Sequence, residues 1–220
     1  MTDAPEILHE VADGLALVTL NRPAALNALT LGMVRALDPL LAGYAADPDI
    51  RAVAVRGAGE KGFCAGGDIR ALHDSRARGD SLAADFFREE YRLDRRIFTF
   101  PKPYIALMDG IVMGGGVGVS VHGGFRIVCE ATVFAMPETG IGMFPDVGGA
   151  YFLPRLPGGI GMFLAMTGAR LRAADCLQAG IGDAFVPLSR QAELLDRLRA
   201  GAAPQEAIAA LSADPGPAPL

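Results

Sequence analysis

Short apolar runs closed by turn residues recur along the chain, at Leu15–Leu20 (LALVTL), Ala52–Arg56 (AVAVR) and Tyr104–Met108 (YIALM). Runs of this length and composition predict strands buried in a sheet. Weaker versions at Phe125–Val128 and Val133–Ala135 predict two more. Between them the apolar positions change to a three-to-four spacing. Met33, Val34, Leu37, Leu40, Leu41 and Tyr44 describe one helical face, with Thr30 as its cap. Pro39 lies inside that face and is expected to kink or break the helix. Ser81–Phe98 is amphipathic and free of proline and glycine, so it predicts an uninterrupted helix. Strands alternating with helices specify an α/β domain.

The pattern changes past Val186. Ser189 is expected to cap a helix running to about Arg199, and Glu206–Leu211 to form another short helical turn. The end, from Asp214 to Leu220, is proline-rich and is expected to be a mobile tail. The expected organisation is therefore a core over residues 1–188, a helical segment over 189–211 and a tail over 212–220. No internal repeat of fixed period is found.

Composition narrows the classes open to such a chain. Its 220 residues are 51% hydrophobic and 20% charged, enough to bury a full core and too apolar for a disordered protein. A net charge of −5 without Lys/Arg blocks argues against a nucleic-acid or anionic-membrane partner. Three cysteines build no disulfide framework, and they point to a reducing cytoplasm. The acidic opening Met1–Glu6 lacks the basic-then-apolar order of a secretory signal. Gly110–Val121 carries no charge, but it falls short of the roughly 20 residues a membrane span needs. Asp109 and Arg126 bracket it, so it reads as a buried core segment.

Glycine is unevenly distributed. Four runs concentrate it: Cys64-Ala-Gly-Gly-Asp68, Met113-Gly-Gly-Gly-Val-Gly118, Gly140-Ile-Gly142 and Pro145-Asp-Val-Gly-Gly149. Glycine lets backbone approach a ligand and turn N–H groups toward it. The second run follows the Tyr104–Met108 strand and is expected to open a helix, whose first N–H groups lack partners. Such donors hold a phosphate or stabilise an oxyanion. No Lys-Ser/Thr follows the glycines, and Gly114–Gly118 lacks the dinucleotide spacing, so phosphate cradling fits poorly. The plain alternative is that these glycines only permit close packing.

Among the charged residues Glu90 stands out. At about 100° per residue it falls within about 60° of Phe86, Leu93 and Ile97, on the apolar stripe of its helix. A carboxylate there needs a partner or a use; a salt bridge to Arg95 or Arg96 at the stripe's edge is the structural alternative. Glu138 and Asp146 flank a stretch interrupted by Gly140, Gly142 and Pro145, which a loop can fold back on itself. Two carboxyls in one desolvated pocket divide into an acid and a base, although Pro-Glu and Pro-Asp are also ordinary turn sequences. Ser120 and His122 point apart on a helix and make no nucleophilic pair. Cys64 reads as a small buried thiol or, beside its glycine run, as a nucleophile. No spacing of His, Cys and carboxylates suggests a metal site.

Taken together, these segments resemble the enoyl-CoA hydratase/isomerase (crotonase) superfamily, and within it the group of 3-hydroxyisobutyryl-CoA hydrolases. Asn21-Arg-Pro-Ala-Ala-Leu-Asn-Ala-Leu29 looks like the superfamily's N-terminal signature, and Phe63–Asp68 and Gly110–Gly118 like its two oxyanion segments. More specific to the hydrolases are Arg88-Glu-Glu-Tyr91, Pro101-Lys-Pro-Tyr104, Met113–Gly123, Phe134-Ala-Met-Pro-Glu-Thr139, Ile141–Gly149 and Tyr151-Phe-Leu-Pro-Arg-Leu-Pro157. The similarity runs from about Leu15 to Val186. It implies a crotonase-like spiral of repeated ββα units with C-terminal helices, the C-terminal region being shorter than in those hydrolases.

The resemblance also implies roles. The N–H groups of Gly67 and Gly115 would form an oxyanion hole, and Glu138 and Asp146 would be the catalytic carboxylates. Glu90 would contact the substrate's hydroxyl, with Ala65, Gly66, Asp68, Ile69 and Gly114 along the substrate path. Lys61 would meet coenzyme A phosphate or ribose, or stand as a surface lysine. Hydratases of the superfamily carry a second glutamate where this chain has Gly118, and glycine where it has Asp146. The implied reaction is hydrolysis of a short branched 3-hydroxyacyl-CoA thioester in valine breakdown. Coenzyme A is then part of the substrate, no separate cofactor is needed, and a homo-oligomer is a possible assembly. A hydratase or isomerase of the same fold, or an acyl-CoA-binding paralogue without turnover, are the alternatives.

Overall fold

In the computed structural model, which describes residues 4–219, β1 (Ile7–Ala12) and β2 (Leu15–Leu20) form an antiparallel hairpin. Asp13 and Gly14 close it, at φ 48° and 76°, the two positive angles that a tight hairpin turn of this length favours. Then come α1 (Leu31–Ala46), β3 (Ala52–Gly57), β4 (Gly62–Cys64), α2 (Ile69–Arg78) and α3 (Leu82–Phe98). A second unit follows as β5 (Tyr104–Met108), β6 (Ile111–Met113) and α4 (Gly115–Val121). A third comprises β7 (Phe125–Val128), β8 (Val133–Ala135) and the short helices α5 (Gly149–Phe152), α6 (Ile160–Thr167) and α7 (Ala173–Gln178). The described chain closes with β9 (Ala184–Phe185), α8 (Gln191–Arg199) and α9 (Pro204–Leu211).

The pairs β3/β4, β5/β6 and β7/β8 each contribute one strand to each of two sheets, and β1, β2 and β9 complete the larger one. A six-stranded sheet has the order β1-β2-β3-β5-β7-β9, and a three-stranded sheet the order β4-β6-β8. Apart from the hairpin, all these pairings are parallel. The successive pairs β3/β4, β5/β6 and β7/β8 therefore climb in register like turns of a screw, the expected ββα spiral.

Both faces of the larger sheet are covered, so its strands read as continuous apolar runs rather than alternating ones. In β2, Ala16, Val18 and Leu20 face the main core with Met33, Phe63, Phe86 and Leu93. Leu15 and Leu17 face the other way, onto Leu194, Leu195, Leu198, Ile208 and Leu211 of α8 and α9. Gly110–Val121 is β6 plus α4, and every residue of α4 is buried. Among the described residues, no helix is long and apolar enough to cross a membrane.

Three local expectations are corrected. Helix α1 continues through Pro39, capped by Thr30 Oγ1 accepting from Met33 N at 3.0 Å. Burial of Met33, Val34, Leu37, Leu41 and Tyr44 on one face holds the helix together across the missing N–H. Ser189 does not cap α8; it lies within a tight turn, Leu188–Arg190, that precedes it. The last helix begins at Pro204 rather than Glu206, because proline at the first helical position forfeits no intrahelical bond.

Asn27 ties the N-terminal signature to the rest. It is fully buried at φ 56°, and its Nδ2 donates to Ala58 O (2.9 Å) and Gly62 O (2.7 Å). Its Oδ1 accepts from Arg22 N at 2.9 Å. Asn27→Ala leaves these buried backbone groups unpaired and is expected to lower the unfolding free energy by about 2–3 kcal/mol. Urea denaturation measures this directly; a loss below about 0.5 kcal/mol would mean that the bridge is dispensable.

Candidate active site

Two glycine turns meet above the three-stranded sheet. Beyond β4 the chain pairs in parallel with Leu29: Leu29 N donates to Gly66 O (2.8 Å) and Asp68 N to Leu29 O (2.9 Å). That pattern uses the groups on either side of Gly67 and leaves the Gly67 N–H turned the opposite way. Beyond β6, Gly114 adopts φ 49°, ψ −122°, a conformation open to glycine and closed to residues with a Cβ. Helix α4 then starts at Gly115, whose N–H belongs to the unpartnered first turn. The Gly67 nitrogen lies 3.3 Å from the place a Cβ on Gly115 would occupy, so the two donors are neighbours.

They border a cavity of about 240 Å³, lined also by Ala65, Gly66, Ile69, Leu72, Phe86, Glu90, Gly114, Glu138 and Asp146. The loop predicted to bring Glu138 and Asp146 to one pocket does so. Glu138 opens a tight turn, Glu138–Ile141, and is 6% exposed. Its Oε2 has no hydrogen-bond partner, and its Oε1 lies 3.4 Å from the Cβ position of Gly114. Burial, with a smaller push from the Asp146 charge, raises the Glu138 pKa to about 7. Asp146 is also raised by burial, against the opposing effect of Tyr91 Oη, which donates to its Oδ2 at 2.8 Å.

Glu90 reaches the cavity from α3. It is 2% exposed and its carboxyl packs on the Gly115 backbone. Burial first, then Asp94 and Asp146, hold its pKa well above the usual carboxylate range. The salt-bridge alternative is not realised: Arg96 pairs with Asp38 at 2.6 Å, and no ion pair reaches Glu90 among the described residues.

Two residues to which the sequence assigns no role, Asp94 and Tyr91 (the end of the Arg88–Tyr91 motif), neighbour these acids. Asp94 is buried, neither carboxyl oxygen has a partner, and Oδ1 lies 2.6 Å from where a Cβ on Gly118 would sit. Burial, then Asp146, keeps its pKa high as well. The signal existed, since Asp94 follows Glu90 by one helical turn and shares its face.

Two expected contacts fall outside the cavity. The Asp68 carboxylate caps α2 by accepting from Ala71 N (3.2 Å) and pairs with Arg22 at 3.0 Å. Lys61 is exposed and borders a separate cleft of about 210 Å³ with Pro23, Leu26 and Ala58. Cys64 is fully buried with its thiol pushed up to about 12, the state of an inert core residue. Ser120 Oγ donates to Gly116 O, away from His122.

Comparison with known proteins places the fold and the family. The family model described as enoyl-CoA hydratase/isomerase matches residues 15–219. A mitochondrial 3-hydroxyisobutyryl-CoA hydrolase of Xenopus tropicalis is 58% identical over 187 residues, covering 81% of this chain and 49% of that protein. The Homo sapiens protein of the same name is 50% identical over 203 residues, covering 92% and 53% respectively. Among solved structures, a carnitinyl-CoA dehydratase from Mycobacterium thermoresistibile superposes with a TM-score of 0.92 at 46% identity, covering 98% of this chain and 63% of that one. An enoyl-CoA hydratase from Rhodobacter sphaeroides follows at 0.86 and 45%, covering 90% and 59%. The chain belongs to the enoyl-CoA hydratase/isomerase family.

This chain spans about half the length of the curated relatives it matches. Those relatives are named as mitochondrial, which overturns the cytoplasmic expectation. Sparse, unpaired cysteines separate oxidising from reducing compartments; they do not tell one reducing compartment from another.

Because the folded-state pKa of Glu138 is raised, the fold favours its neutral form. That contribution is present at low pH and is lost as pH rises through about 7. The loss begins at the ordinary value of 4.5, so Glu138→Gln is expected to raise Tm at pH 8 and to leave it nearly unchanged at about pH 4. Equal shifts at both values in a thermal melt would contradict a buried, titrating carboxyl.

Proposed function

We propose that the chain carries the catalytic core of a hydrolase that cleaves a short branched 3-hydroxyacyl-CoA thioester, with 3-hydroxyisobutyryl-CoA of valine breakdown as the leading substrate. The observation that carries this reading is the convergence of Glu138 and Asp146 on the cavity bordered by the Gly67 and Gly115 N–H groups. In this reading the thioester carbonyl oxygen accepts from both N–H groups. Each such preorganised donor contributes roughly 3–4 kcal/mol where negative charge develops.

Glu138 then either attacks the carbonyl carbon, giving an anhydride that water opens, or takes a proton from the water that attacks. In both routes the C–S bond breaks, coenzyme A leaves as the thiol and the acyl group leaves as the carboxylic acid. Asp146, oriented by Tyr91, handles the second proton or positions the water. Glu90 is the group suited to the substrate's hydroxyl, being buried beside Gly115 with Oε1 otherwise unpartnered. Coenzyme A enters as part of the substrate, with the exposed Lys61, in its separate cleft, as the cation suited to its phosphates.

Double-bond hydration on enoyl-CoA is the second reading, favoured by the names of the structural neighbours. Against it, Gly118 stands where the resembled hydratases carry a second glutamate, and a Cβ there would fall 2.6 Å from Asp94 Oδ1.

Release of free thiol from 3-hydroxyisobutyryl-CoA, followed with a thiol-reactive dye, is the decisive assay. Turnover is expected to rise with pH through a midpoint near 7, as Glu138 ionises. Glu138→Gln is expected to lower kcat by at least about a hundredfold with KM within about threefold. Acyl-CoA binding without thiol release would sink the hydrolase reading, and hydration of an enoyl-CoA in its place would favour the second.

A further inference from the structure

The Asp146 loop, residues 145–149, is held from outside. Val147 sits at φ 41° and is 2% exposed. A β-branched residue in this region is an outlier costing on the order of 1–3 kcal/mol, and it persists only where its surroundings enforce it. The Val147 carbonyl accepts a hydrogen bond from Nε2 of His122 at 2.8 Å. A carbonyl only accepts, so the imidazole proton is on Nε2.

His122 stands immediately after α4, the helix that begins with Gly115. Phe98 and Phe152 enclose its ring edge-on, at centroid distances of 6.1 and 6.2 Å. A Cβ on Gly148 would fall 2.6 Å from the ring, so loop and imidazole are in direct contact. Burial, opposed by the Val147 hydrogen bond and aided by the Arg126 charge, lowers the His122 pKa.

We infer that His122 is a positioning residue for the reaction: its Nε2–H pins the strained Val147 peptide and so holds Asp146 in register with the helix that presents Gly115. The inference rests on the reading of Asp146 as one of the catalytic carboxyls. The pin itself is a property of the fold and can be tested separately.

His122→Phe fills the space without a donor, whereas His122→Gln offers a side-chain N–H to the same carbonyl. Backbone exchange at Gly149, whose N–H donates to Asp146 O at 2.6 Å, reports the loop. His122→Phe is expected to speed Gly149 exchange at least about tenfold, with amides of α3 unchanged. It should lower kcat about tenfold with KM within about twofold, and Gln should restore kcat to within about threefold of the native protein.

Unchanged Gly149 exchange in His122→Phe would overturn the pin, whatever the activity does. Faster exchange with unaltered kcat would overturn the positioning role. If His122→Phe does not fold, nitrogen NMR of the native imidazole decides: a proton on Nε2 agrees with the pin, and one on Nδ1 overturns it. A native protein that releases no thiol would instead overturn the functional reading, and the exchange comparison would still stand.

Discussion

The approach of helix α4 to strand β4 is the contact on which the site depends. A Cβ on Gly116 would overlap the carbonyl of Cys64, so the helix lies against the strand backbone with no side chain between them. Only that spacing brings the first N–H of α4 beside the Gly67 N–H, which comes from a different turn of the spiral. The close approach also explains why all of α4 is buried while none of it is charged. A charge there would have neither room nor water.

Around this backbone contact the fold gathers carboxyls instead of dispersing them. Glu90, Asp94, Glu138 and Asp146 come from α3 and two loops, and burial raises the pKa of all four. Four such groups cannot all ionise in one desolvated region. Burial first, with a smaller push from the Asp146 charge, brings Glu138 to titrate near neutrality. Stability is lost to this arrangement, because buried carboxyl oxygens without partners are unfavourable. The strained Val147 adds to that loss, and both features lie at the site and not in the scaffold.

How much of this was legible depended on the range over which each signal acts. Glu90 was visible because helical geometry alone put it on an apolar stripe. Asp94 obeys the same arithmetic and was overlooked, lying beside Leu93 and two arginines that look like a solvated edge. Strands β4 and β6 escaped notice because each has three residues, too few for a periodic pattern, and gains its partners from distant turns of the spiral. At Pro39 local proline chemistry predicts a kink or a break, and packing on five buried side chains carries the helix through without a break. Asp68 carried a motif resemblance, yet its carboxylate is committed to a helix cap and to Arg22.

By itself the sequence determined the alternation of strands and helices, the glycine runs, and the placing of acids in unlikely company. Those are consequences of local sterics and of hydrophobic period, which act within a few residues. Tertiary structure alone decided that Gly67 and Gly115 stand side by side, that Tyr91 holds Asp146, and that His122 grips the loop behind it. Each of these joins segments about 25 to 55 residues apart, and their contact follows from the climb of the ββα spiral, which no local pattern encodes.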